Sequence, residues 1–114
     1  MNNLHYYTFL VQNIINTRNK IYDFKLCLMN HKVDEDTGLE ERAEELRNLF
    51  IALTECILNS LEAICELYFS LDENDQTLKN RIINLHKLEV AQMVQFCKIK
   101  EEYYFIYKFL ELQI

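Results

Sequence analysis

The sequence predicts an all-α protein, an antiparallel bundle of three long helices. Three observations carry this. Proline is absent from the 114 residues and glycine occurs once, as Gly38, so the two strongest helix breakers hardly appear. Apolar residues recur at helical spacing through three long stretches. Only two polar breaks separate them, at residues 32–38 and 72–75. A further break inside the first or third stretch would make four helices, and dimerisation would complete the core. No internal repeat is visible, and residues 1–114 are expected to form a single helical-bundle domain.

The first stretch runs from about residue 3 to 31. Leu4, Val11, Ile15, Tyr22, Leu26 and Met29 share one stripe, and Tyr7, Leu10, Ile14, Ile21 and Leu28 lie beside it. Such a broad apolar face suits packing against two neighbours. Asn16, Arg18, Asn19 and Lys20 interrupt it, and a bend or wet patch is expected there.

The second stretch runs from about residue 39 to 71. Thr37 and Glu40 have capping-box spacing, in which hydroxyl and carboxylate each accept from the other residue's amide. Glu40, Glu41, Glu44 and Glu45 then crowd the first turns, where carboxylates complement the helix dipole. Beyond Leu49 the polar stripe narrows to Glu55, Asn59, Glu62 and Glu66. This reads as the most buried helix.

The third stretch runs from about residue 76 to the C-terminus, with Asp75 as its N-cap. Ile82, Leu85, Phe96, Ile99, Tyr103, Ile106 and Leu110 share a side, with Ile83, Val90, Val94, Cys97 and Tyr104 beside it. Tyr103, Tyr104 and Phe105 are consecutive, so they sweep round the helix and cannot all face one core. Tyrosine and phenylalanine favour interface centres, so a protein interface is expected at this tail, with Tyr103, Tyr104 and Tyr107 in it.

Half the residues are apolar, with seven Tyr and seven Phe, enough for a real core and against disorder. Met1 to His5 carry no basic run, no small-residue cleavage site follows, and no uninterrupted apolar run approaches 18 residues. The reading is a cytoplasmic protein without a signal peptide or membrane span. Cys27, Cys56, Cys65 and Cys97 form no C-x-x-C pair. In that compartment they are expected as reduced, buried thiols packing as small hydrophobes rather than as two disulfides.

Charge is uneven. Residues 1–31 and 76–114 each carry a net +2, and residues 32–75 a net −10, for −6 in all. An acidic chain without a basic stripe speaks against DNA or RNA phosphate binding. The acidic start of the second helix, Glu41, Glu44 and Glu45, could meet a basic partner.

Chemistry-bearing patterns are sparse. One glycine cannot build a glycine-rich phosphate cradle, and no nucleophile-elbow or zincin motif occurs. Cys27 and His31, at i and i+4, would supply only half a zinc site. The reversed His86-x-x-Glu89 has no second copy to make a di-iron bundle. No metal and no cofactor are expected. Arg81 and His86 stand in Arg-Ile-Ile-Asn-Leu-His. This R-x-x-x-x-H spacing in a small helical chain resembles the HEPN superfamily, which includes ribonuclease toxins. The resemblance implies a metal-independent ribonuclease whose Arg81 and His86 face their copies across a dimer. The guanidinium would hold the scissile phosphate and the imidazole would move protons. Ile82 and Leu88 stand where many members have asparagine and tyrosine.

The leading expectation is a small protein acting by protein–protein interaction, as an inhibitor, assembly or regulatory module, with a homodimer expected. The HEPN-type ribonuclease is the alternative. Small size and abundant Asn, Ile and Lys suit the AT-rich genome of a virus or mobile element.

Overall fold

In a computed structural model the chain forms three helices, α1 (Asn3–Met29), α2 (Leu39–Ser70) and α3 (Gln76–Gln113). The structure describes the backbone of residues 3–29 and 39–113, and the side-chain surroundings of residues 3–26, 44–45 and 47–102. Thr37 of the capping box and His31 lie outside those residues, and the side chains of Glu40 and Cys27 lie outside the described set.

The three helices pack against one another. Ser60 of α2 meets Glu89 of α3, and Phe50 meets Phe96, so these two run antiparallel. Thr17 of α1 meets the same Glu89, and Phe24 meets Phe96, so α1 and α3 run parallel. Short connections impose this order. At the second break the Asp75 carbonyl accepts from the Lys79 amide at 2.9 Å, the first helical bond of α3. Asp75 is therefore the N-cap residue. Asp72 shapes the turn by accepting from the Glu73 amide at 2.9 Å.

Each helix buries one narrow stripe. On α1 it is Leu10, Ile14, Thr17, Ile21 and Phe24; on α2, Leu53, Ile57, Ser60, Ile64 and Leu67; on α3, Ile82, Leu85, Glu89, Phe96 and Ile99. The steps alternate between three and four residues or sum to seven, the repeat of helices that supercoil gently and pack knobs into holes. Two apolar clusters result. One joins Leu10, Ile14, Ile64, Leu67, Leu71, Ile82 and Leu85. The other joins Ile21, Phe24, Leu53, Ile57, Phe96 and Ile99. Within the second, Phe50 stacks on Phe96 at 4.7 Å and Phe24 meets Phe96 edge-on at 5.9 Å. These are the arrangements that aromatic quadrupoles favour.

Several expectations are corrected. α1 runs unbroken through residues 16–20, where Asn16, Arg18, Asn19 and Lys20 are exposed as a wet patch, while Thr17 turns inward and donates its hydroxyl to the Asn13 carbonyl at 3.0 Å. That local bond satisfies the polar group without breaking the helix. The buried face of α1 is Leu10, Ile14 and Ile21 of the second stripe plus Thr17 and Phe24, while Leu4, Tyr22 and Leu26 are exposed. α2, expected as the most buried helix, buries one stripe among the described residues, as α1 and α3 do. Within its segment Arg47–Ser70 an 18-residue window has a mean hydropathy of 1.4, and 22 % of that window is buried. By length and composition it could cross a membrane, which a search for uninterrupted apolar runs misses.

The displaced stripe gives a direct test. Phe24→Ala should cost about 3–5 kcal/mol in urea unfolding, as expected for a buried aromatic. Tyr22→Ala should change stability by no more than about 0.5 kcal/mol, as expected at the surface.

Candidate functional site

Two features stand out from an otherwise ordinary bundle, a polar layer inside it and an apolar groove outside it. The first positions the second.

Thr17, Ser60 and Glu89 occupy the middle of the three buried stripes, between the two apolar clusters, and all are fully or almost fully buried. The Ser60 hydroxyl donates to Glu89 Oε2 at 2.6 Å, and Gln92 Nε2 donates to Oε1 at 2.9 Å. Gln92 Nε2 also reaches the Ile14 carbonyl at 3.2 Å, tying α3 to α1. Thr17 Oγ1 lies 3.5 Å from Oε2 but closer to the Asn13 carbonyl. Its single proton serves one of these, so Ser60 and Gln92 are the main donors to the carboxylate. Among the described residues, the hydrogen-bond partners of Glu89 are all uncharged. A buried carboxylate without a cation needs such bonds to offset its desolvation. Sliding α2 or α3 by one turn would strand it, so the layer fixes the register of all three helices. Nearby, Cys56 Sγ lies 3.8 Å from both Thr17 Oγ1 and Lys20 Nζ, a softer link between α1 and α2.

With the register set, α2 and α3 present a second seam on the side away from α1. Leu58 and Cys65 line it from α2, and Ile83 and Cys97 from α3; Ile51 and Val90 continue the same seven-residue spacing. All six are exposed. Met93 and Val94 add to it, and Phe69, 81 % exposed, caps one end. Two recesses lie along the groove. One of about 220 Å³ is bounded by Cys65, Phe69, Ile83, His86 and Lys87. The other, about 120 Å³, is bounded by Phe50, Leu58, Met93, Cys97 and Lys100. Lys79 over Tyr68 and Lys100 over Phe50, at 5.6 and 4.7 Å, shield ring faces near its ends through cation–π contacts.

Of the residues singled out by sequence, Arg81 and His86 do not converge within the protomer. Arg81 is exposed and lines a recess with Leu4, Asn74, Asp75, Thr77 and Leu78 at the α1 side of α3. His86 is half-buried and opens on the α2/α3 groove. Five residues apart, they are turned about 140° from each other on a helix of 3.6 residues per turn. Glu44 and Glu45 are exposed on α2. Glu41, Tyr103, Tyr104 and Tyr107 lie on helical backbone, but their side chains fall outside the described set. Cys56, Cys65 and Cys97 are free thiols, and the last two are exposed rather than buried. Their exposure follows from the narrowness of the buried stripes. Among the described residues, no three His, Cys, Asp or Glu side chains gather as a metal site.

Glu89 was legible only as half of a reversed metal motif. The signal that places it is its spacing: Ile82, Leu85, Glu89, Gln92, Phe96 and Ile99 step by three and four. A carboxylate within an apolar heptad stripe calls for buried donors on the facing helices. No family model, curated protein or solved structure matches this chain.

Ser60→Ala should lower stability by about 1.5–3 kcal/mol, the range for a hydrogen bond to a charged group. The triple replacement Thr17→Val, Ser60→Ala, Glu89→Leu should unfold no more easily than the native chain, since apolar packing often replaces a buried charge without loss. Urea titration of both variants checks the pair.

Proposed function

We propose that this protein acts by protein–protein interaction and that the α2/α3 groove is its binding face. The observation that carries the reading is the apolar lining of the two recesses along that groove. Scattered exposed hydrophobes need no explanation, but a contiguous stripe bounded by charged residues suits a partner surface. From Ile51 to Cys65, and from Ile83 to Cys97, each wall runs 14 residues, about 21 Å of helix. That is long enough to seat a helix in the groove by its apolar face. An inhibitor, assembly or regulatory module would use such a face. The acidic start of α2 and the tyrosine-rich end of α3 share one end of the antiparallel pair. They would add Glu41, Glu44, Glu45, Tyr103, Tyr104 and Tyr107 to the contact.

Two other readings are weaker. A membrane span through Arg47–Ser70 would carry Glu55, Glu62 and Glu66 into hydrocarbon. A charged side chain near the bilayer centre costs roughly 2.5–3.5 kcal/mol. For the ribonuclease, Arg81 and His86 line different recesses among the described residues, so only the motif supports it. RNA cleavage lost in both Arg81→Ala and His86→Ala, with folding intact, would restore it.

The thiols report on the groove. In dilute solution Cys65 and Cys97 should react rapidly with a maleimide. As the chain associates, with itself or with a partner, both should become protected in step with complex formation. Full reactivity in the associated state would put the contact elsewhere and overturn the reading. Protection only on adding phosphatidylcholine vesicles would assign the face to a bilayer and overturn it equally.

A further inference from the structure

Among the described residues none occupies the groove, and three observations define what fits it. The first is its repeat. Ile51, Leu58 and Cys65 recur every seven residues on α2, as do Ile83, Val90 and Cys97 on α3. A seven-residue apolar repeat keeps one face turned toward a partner helix along its whole length. The inner stripes of α2 and α3 already use this repeat to build the core. The outer repeat is a second seam of the same kind, so the occupant is helical.

The second observation is area. A compact monomer of this mass exposes about 6,600 Å² by surface-to-mass scaling, whereas this chain exposes 8443 Å². Its radius of gyration is 18.0 Å, against roughly 13 Å for a compact chain of this length. Elongation accounts for part of the surplus of about 1,800 Å². Even half of that surplus matches the roughly 800 Å² that each partner contributes to a standard interface.

The third observation is charge. The outer edge of α2 carries Glu55 and Glu62, and the outer edge of α3 carries Lys87 and Lys98, all exposed. The chain therefore carries both an acidic edge and a basic edge that would complement it.

We infer that the groove is closed by a second copy of this chain, with α2 of each protomer seated against α3 of the other about a two-fold axis running along the bundle. This inference rests on the groove being the binding face. The Ser60–Glu89 bond sets Glu62 level with Lys87, because each lies two residues from that bond on antiparallel helices. The axial two-fold preserves levels, so Glu62 meets the partner's Lys87. Glu55 then lies about 6 Å along the axis from the level of the partner's Lys98, within reach of a lysine side chain. Flanking charges of this kind choose orientation between paired helices. The other two-fold arrangement, with its axis across the bundle, lays α2 on α2 and sets Glu62 against the partner's Glu55. Like charges there disfavour it. The resulting interface is isologous and closed.

Light scattering behind size exclusion, from micromolar to near-millimolar chain, tests this. The native chain should give twice the 13.8 kDa protomer mass. Leu58→Glu should give a monomer with unchanged helical circular dichroism, because Leu58 lies outside the core. Glu62→Lys should raise the dimer dissociation constant at least tenfold, and Glu62→Lys with Lys87→Glu should recover most of that loss. A native chain that stays monomeric at every concentration overturns self-pairing but leaves the groove open to another helical protein. A dimer indifferent to Leu58→Glu overturns both the pairing and the groove. A dimer that Leu58→Glu dissociates but the charge exchange does not restore overturns the α2-on-α3 arrangement alone.

Discussion

The 2.6 Å hydrogen bond from Ser60 to the buried Glu89 carboxylate sets the register on which the rest of the bundle depends. Apolar stripes alone would pack nearly as well after a slip of one helical turn, since leucine and isoleucine recur along every helix. A carboxylate does not tolerate that slip, because leaving it without donors in a dry interior costs several kcal/mol. Gln92 adds the third helix by bridging Glu89 and the Ile14 carbonyl. The two apolar clusters on either side supply most of the burial, and the polar layer between them selects one alignment. Buried polar residues play this part in coiled coils, where they trade stability for a single register.

That register has a consequence at the surface. It brings Leu58 and Met93 to one recess, and Cys65 and Ile83 to another, so two half-exposed ridges meet in two recesses along one side of the α2/α3 pair. Three helices in a narrow bundle bury only one stripe each, whereas α2 and α3 carry apolar residues over a wider arc. The surplus has nowhere to go inside the protomer. The proposed binding function and the proposed self-pairing both follow from this mismatch between apolar arc and available neighbours. A fourth helix, or two from a second copy, would resolve it.

The helices were legible because the breaks are. Absence of proline, one glycine and two polar interruptions leave the chain little choice, and the expected ends agree with the observed ones to within a few residues. Asp75 begins α3 as its position implied, and the α3 stripe from Ile82 to Ile99 was read correctly. On α1 the face was misjudged by about one residue's rotation. Its apolar arc is wide, so Tyr22 and Phe24 are equally plausible as core until a neighbour chooses between them. Thr17 and Glu89 were passed over because polar side chains are discounted as core, a rule that fails when donors from three helices meet. Cys65 and Cys97 were assigned to the interior on composition, where a cysteine reads as a small hydrophobe. At the candidate site, Arg81 and His86 do not come together within the protomer, while the apolar residues along the groove look individually unremarkable.

The sequence by itself determined that this chain is helical, where its helices begin and end, and which residues repeat every seven positions. Those are consequences of backbone preference and local periodicity, which act within a few residues of each position. Only the tertiary structure decided which stripe faces inward, that Thr17, Ser60 and Glu89 share a layer, and that Arg81 and His86 open on different grooves. These depend on the rotation and axial offset of one helix against another. Residues 72 positions apart settle them, as in the contact of Thr17 with Glu89, and no local signal encodes that offset.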